Sequence, residues 1–90
     1  MALNDKVCVY IISTYFGTFY CGITNNLLRR WKEHKEGKSS YLSKFKPKEV
    51  IYMSEFDSRR SASKVERQIK SFGVGKYAKK VNLYNNSNFV

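Results

Sequence analysis

"VCVYIISTYFGTFYCGIT", residues 7–24, decides the fold. Val7–Ile12 is an almost unbroken apolar run, rich in β-branched residues and too short for a helix, so it reads as a buried strand. Ser13–Thr18, which contains Gly17, supplies a hairpin turn, and Phe19–Thr24 returns as the second strand. Side chains alternate between the two faces of a strand. Cys8 therefore shares a face with Tyr10, while Cys21 lies opposite Tyr20 and Gly22. With the two tyrosines facing the same way, the cysteines point apart and form no bridge.

Beyond the hairpin, Asn25 or Asn26 offers a side-chain oxygen to cap a helix over Leu27–Glu36, which stops at Gly37. At about 100° per residue, Leu27 and Trp31 form the apolar stripe, His34 lies close to Leu27, and Arg30 sits at the stripe's edge. Arg30 and His34 are four residues apart, hence neighbours on one face. Ser39–Phe45 suggests a short second helix, ended by Pro47. Glu49–Phe56 reads as a third strand, and Asp57 or Ser58 caps a helix over Arg60–Phe72 with Ala62, Val65, Ile69 and Phe72 as its apolar positions. Lys76–Asn82 adds a last turn or two, and "YNNSNFV", residues 84–90, reads as a frayed tail. The expected architecture is α/β (α+β): a small three-stranded, mainly antiparallel sheet flanked by helices. Residues 1–83 form one domain and 84–90 a flexible tail.

Ninety residues leave no room for a second core. The 17 Lys and Arg outnumber 7 acidic residues, for a net charge of +10. Such an excess repels itself, so a polyanion is the economical partner, and DNA is the expected one. No apolar run approaches the ~18 residues of a transmembrane helix, and no helix reads as a greasy basic amphipath, so a membrane partner is not expected. Two cysteines without a CxxC and a single histidine fit neither a disulfide framework nor a zinc site. Met1–Lys6 is short and polar rather than a signal peptide, which points to a reducing, cytoplasmic setting.

Tyr10, Tyr20, Arg30, His34 and Glu66 form the constellation of interest. Phosphodiester hydrolysis needs a group to take a proton from water, a cation to hold the charged transition state, and a metal to offset negative charge. One carboxylate suits Mg²⁺, which keeps waters or phosphate oxygens as its other ligands; Mn²⁺ is the alternative. Either tyrosine needs help to act as a base, because a free phenol has a pKa of about 10.

These residues resemble a known family. "CVYII", then "FYCGIT", "NNLLRRWKEH" and "KVERQIK" are similar to the GIY-YIG nuclease superfamily over about residues 7–82. Cys8-Val9-Tyr10 stands at the GIY position and Tyr20-Cys21-Gly22 at the YIG position. Arg30 matches the family's arginine, His34 the residue one turn later, and Glu66 the metal-binding glutamate. The pattern "SSYLSKFKP…VIY…SASKVERQIKSF" looks most like the small stand-alone bacterial branch, related to the nuclease domain of structure-specific endonucleases. Tyr41 and Lys44 then stand loosely for a Tyr-Thr-Lys, and Asn82 for a late asparagine. Cys8 replaces the family's glycine, and the DNA-targeting modules of larger members are absent.

The resemblance implies a metal-dependent endonuclease that cuts DNA in one step, directed by structure more than by sequence. A water is activated through Tyr10 or Tyr20, with Tyr10 as base or proton relay and Tyr20 orienting the water. Arg30 clamps the phosphate, His34 bonds a phenol or the phosphate, and Glu66 holds the metal. Arg29, Lys32, Tyr41, Lys44 and Asn82 are expected to contact the DNA. Competing structural readings stand beside these: the phenols as core, Gly22 as a strand end rather than a point of close approach, His34 as a core histidine, and Glu66 as the capping-box partner of Ser63. The rival functions are a non-catalytic nucleic-acid-binding protein of the same fold and a subunit that depends on a larger repair or mobile-element protein.

Overall fold

The computed structural model describes residues 6–37 and 44–88, with side chains through residue 81. Strands β1 (Val7–Thr14), β2 (Phe19–Thr24) and β3 (Pro47–Phe56) form one antiparallel sheet in the order β2-β1-β3. Helix α1 (Leu27–Lys35) follows β2, and α2 (Arg59–Phe72) and α3 (Val74–Asn88) follow β3.

The central position of β1 explains its unbroken apolar run, since both of its faces are covered. Val7, Val9 and Ile11 pack with Cys21, Ala62, Ile69 and Ala78 on the α2/α3 side. Cys8, Tyr10 and Ile12 pack on the α1 side with Tyr20, Leu27, Trp31 and Val50. The two cysteines are therefore on opposite faces, and both are free and buried. The register pairs Tyr10 with Gly22 and Ile12 with Tyr20, which puts both tyrosines on the α1 side.

A register shift sets two residues of β3 against one step of β1: Ile11 faces Tyr52 and Ile12 faces Val50. Ile51 is the extra residue of this bulge, so Ile51 and Tyr52 both pack toward the α2/α3 core while Val50 packs the other way. Strict alternation along β3 would have placed them on opposite faces.

Helix ends follow local chemistry. The Asn26 side chain accepts from Arg29 N at 3.0 Å, and Ser58 Oγ accepts from Ser61 N at 3.2 Å. Gly37, at φ 79°, follows the Glu36 C-cap and donates to His34 O, closing α1 as expected. Two expectations for the other helices change. Phe72 is 50% exposed, lying edge-on to Tyr77 beneath Lys80, rather than completing the buried stripe of α2. The last helix also runs on to Asn88, past the expected stop near Asn82, because no Gly or Pro interrupts residues 76–88. Most of the proposed Ser39–Phe45 helix lies outside the described residues; Lys44 and Phe45 are helical.

Candidate active site

On the α1 side of the sheet two tyrosines and a histidine come together with Arg30. Tyr10, from the central strand, is 1% exposed, and His34, from the last turn of α1, is fully buried. Tyr10 Oη and His34 Nε2 are 2.8 Å apart. Tyr20 lies beside both, with ring centroids 6.3 Å from Tyr10 and 5.3 Å from His34. Arg30, one helical turn before His34, directs its guanidinium to Glu33 and to the two phenol oxygens.

Gly22 makes this cluster possible. A Cβ built there would lie 2.7 Å from Tyr10 Oη, 2.9 Å from Tyr10 Cζ and 3.1 Å from Tyr20 Cε1. The Tyr10 phenol thus lies over β2 where any other residue would put its side chain. Close approach is the reason for the glycine, and the approaching group is a tyrosine of the same chain.

Burial dominates the electrostatics. It pushes the Tyr10 phenol up to about 12, outweighing a hydrogen bond from Arg30 that favours the phenolate; the neighbouring Tyr20 adds to the rise. Burial, reinforced by the Arg30 charge, pulls the His34 imidazolium down to about 4. Arg30 is held still more firmly charged, first by Glu33 and then by Tyr10. At neutral pH the cluster therefore contains a neutral phenol, a neutral imidazole and a cation. The arrangement that satisfies most groups has Arg30 donating to the Tyr10 oxygen and Tyr10 donating to His34 Nε2. The imidazole proton then rests on Nδ1, which has no partner among the described residues.

Exposure divides the cluster into two layers. Tyr10 and His34 are sealed from solvent, whereas the Tyr20 side and Arg30, whose side chain is 34% exposed, meet it. Arg30 Nη1 is 3.0 Å from Glu33 Oε1, and Arg29 Nε reaches the other oxygen of Glu33 at 3.8 Å. Glu33 is a site residue that sequence reasoning missed, although Arg30-x-x-Glu33 is itself a helical pairing signal.

Glu66 stands in the interior of α2, on the side of the sheet that Cys21 faces. Because Ser58 caps α2, Glu66 is no capping-box residue of Ser63. Its side chain is 19% exposed and pairs with Lys70 Nζ at 3.1 Å. Burial, together with the Glu66 charge, pushes the nearby Cys21 thiol up to about 11. Glu66 lies near Cys21, the residue that follows Tyr20 on the edge strand β2.

No group of three or more His, Cys, Asp or Glu able to hold a metal exists among the described residues. A half-buried single carboxylate fits a hard cation that takes its remaining ligands from water and phosphate, not an all-protein cage. Of the expected DNA contacts, Arg29, Lys32 and Lys44 are exposed, with Lys44 Nζ 5.7 Å above the Phe45 ring. Tyr41 lies outside the described residues; Asn82 is helical, with its side chain outside them. No helix among the described residues is long and apolar enough to cross a membrane.

Comparison with known proteins agrees with this geometry. Residues 6–82 match the GIY-YIG catalytic domain. A UPF0213 protein of Limosilactobacillus reuteri is 33% identical over 70 residues, covering 74% of this chain and 73% of the relative. One from Photorhabdus laumondii is 37% identical over 71 residues, covering 78% and 67%. The solution NMR structure of a UPF0213 protein from Bacillus halodurans superposes with a TM-score of 0.54 at 29% identity, covering 87% of this chain and 84% of that one. The chain belongs to the GIY-YIG catalytic domain family.

Proposed function

We propose that this domain is a metal-dependent DNA endonuclease that hydrolyses a phosphodiester by direct attack of water. The observation that supports it most is the sealed Tyr10–His34 hydrogen bond beside Tyr20 and Arg30, a buried pair of polar side chains joined across the sheet and α1. In this reading Tyr20, the outer phenol, orients the attacking water. Tyr10 acts as base or proton relay through its bond to His34, and the sealed imidazole, held near 4, passes the proton on toward the leaving oxygen instead of keeping it. The water oxygen forms the new P–O bond as the bond to the leaving oxygen breaks. Arg30 exchanges Glu33 for the non-bridging phosphate oxygens, where its planar fork suits the expanding charge. Glu66 is the residue that would hold Mg²⁺ or Mn²⁺, which would supply positive charge to the phosphate. In this reading DNA structure rather than sequence directs the cut, and one site per domain favours nicking.

Both groups meant to meet the substrate are already paired within the chain, Arg30 with Glu33 and Glu66 with Lys70. That favours, as a second reading, a site that stays idle until nucleic acid or a larger repair or mobile-element protein displaces these pairs. The experiment is nicking of labelled duplex, flap and four-way-junction DNA in Mg²⁺, Mn²⁺ or EDTA by wild type and Glu66→Gln. Metal-dependent cutting by wild type alone is expected. The melting temperature should change little, because an i,i+4 pair whose lysine is in solvent contributes less than about 1 kcal/mol. Binding without cutting in either metal would favour the non-catalytic or partner-dependent reading, and cutting that survives Glu66→Gln would remove Glu66 from the site.

A further inference from the structure

The turn joining β1 to β2 carries two large aromatic side chains into solvent, Tyr15 at 69% exposure and Phe16 at 64%. This turn is not loose. Thr14 Oγ1, in a buried residue, accepts from Phe16 N at 3.2 Å and Thr18 N at 3.1 Å and lies 2.8 Å from Thr18 Oγ1. Tyr15 N donates to Lys46 O at 3.1 Å, which staples the turn to the segment before β3. Phe16 meets Phe45 edge-on, with centroids 6.2 Å apart. Lys46 takes φ 47°, a left-handed backbone that is unfavourable for a residue with a side chain. Rigid exposed aromatic rings among lysines serve neither the core nor solubility.

A cleft of about 410 Å³ runs from this turn to the C-terminal end of α1, with Tyr15, Lys46 and Pro47 on one side and His34, Lys35, Glu36 and Gly37 on the other. Lys35, Lys44, Lys46 and Lys48 are all exposed around it. Cations suited to a phosphodiester backbone therefore alternate with ring faces suited to bases. We infer that the β1–β2 turn is a stacking platform for unpaired nucleobases, with Tyr15 and Phe16 taking the bases and Lys35, Lys44 and Lys46 the flanking phosphates. Stacking needs a base out of its duplex, so the platform selects nucleic acid with an unpaired stretch next to the phosphate in the site. The inference deepens the nuclease reading, since it places that stretch beside the reacting phosphate.

Binding in EDTA separates the two. Fluorescently labelled oligo-dT and an abasic oligomer of the same length carry the same phosphates, but only the first has bases. Wild type is expected to bind oligo-dT at least tenfold more tightly than the abasic strand. Tyr15→Ala/Phe16→Ala should bind both strands alike, at the wild-type abasic affinity. Tyr15→Ala/Phe16→Leu keeps an apolar contact with Phe45 and guards against local collapse of the turn; it too should lose the preference, because leucine has no ring to stack. Equal binding of the two strands by wild type, or an undiminished preference in the second variant, would overturn the platform. A base preference that persists in a protein unable to cut in Mg²⁺ would uphold the platform and count against the nuclease reading alone.

Discussion

Substituting Gly22 by alanine sets the packing of the site against its chemistry. The new methyl would lie 2.7 Å from Tyr10 Oη and 2.9 Å from Cζ, whereas ordinary contacts to carbon are about 3.5–4.0 Å. The phenol must therefore retreat by roughly 0.6–1 Å, enough to break its 2.8 Å bond to His34. Overpacking of this kind costs about 1–3 kcal/mol, and replacing a strand glycine returns about 0.5–1 kcal/mol. The net destabilisation is centred near ~1 kcal/mol, a fall in Tm of roughly 4–8 °C for a domain of this size. Activity should suffer more, by about 100-fold, as expected for a reacting group displaced by an ångström. The assay is nicking under single-turnover conditions beside thermal melting. Adding Tyr10→Phe removes the closest clashing atom, so the double variant should be more stable than the sum of the two single effects. Wild-type nicking by folded Gly22→Ala would refute the argument that the phenol's position over β2 matters.

The remaining expectations concern neighbouring groups. His34 is protonated only near pH 4 in the folded chain, against about 6.5 when free. The unfolded chain thus takes up a proton that the folded one refuses, and this contribution, on the order of 2–3 kcal/mol, is complete above about pH 6.5 and fades as pH falls toward 4. Urea midpoints at pH 7 and 4.5 should fall further for wild type than for His34→Gln; equal falls would contradict the assignment. Glu33→Gln frees the Arg30 guanidinium, and because the pair is partly exposed, DNA affinity should rise only about two- to fivefold, read by anisotropy. Tyr10→Phe leaves a buried imidazole nitrogen unpaired and should cost about 1–3 kcal/mol in denaturant unfolding. Tyr20→Phe, on the half-exposed ring, should cost less than about 1 kcal/mol.

The hairpin was legible because its signals agree: an apolar run, a glycine turn and a second run whose alternation puts Tyr10 and Tyr20 on one face. The arginine–histidine face of α1 followed from helical spacing. Glu33 was hidden by attention to the cations it serves, and the bulge at Ile51 by the absence of any Gly or Pro to mark it. Gly22 could be recognised as a point of close approach, but the approaching group depends on pairing register between strands. The extension of α3 through an asparagine-rich stretch shows that a weak helix former does not stop a helix unless something competes for its backbone. The place of Glu66 beside Cys21 depends on how α2 packs on the sheet, which the helix's own sequence does not specify.

The division of the site between β1 and α1 has a dynamic consequence. Tyr10 sits on the central strand among residues with almost no exposure, so its amide should exchange with solvent only when the whole domain unfolds. Arg30 and His34 ride on a helix of nine residues, too short to persist in isolation and held to the sheet through Leu27, Trp31 and His34 itself. One local opening of that helix would withdraw guanidinium and imidazole together and leave the Tyr10 phenol in place. Amides of α1 exchanging faster than those of β1 would be the signature of that opening.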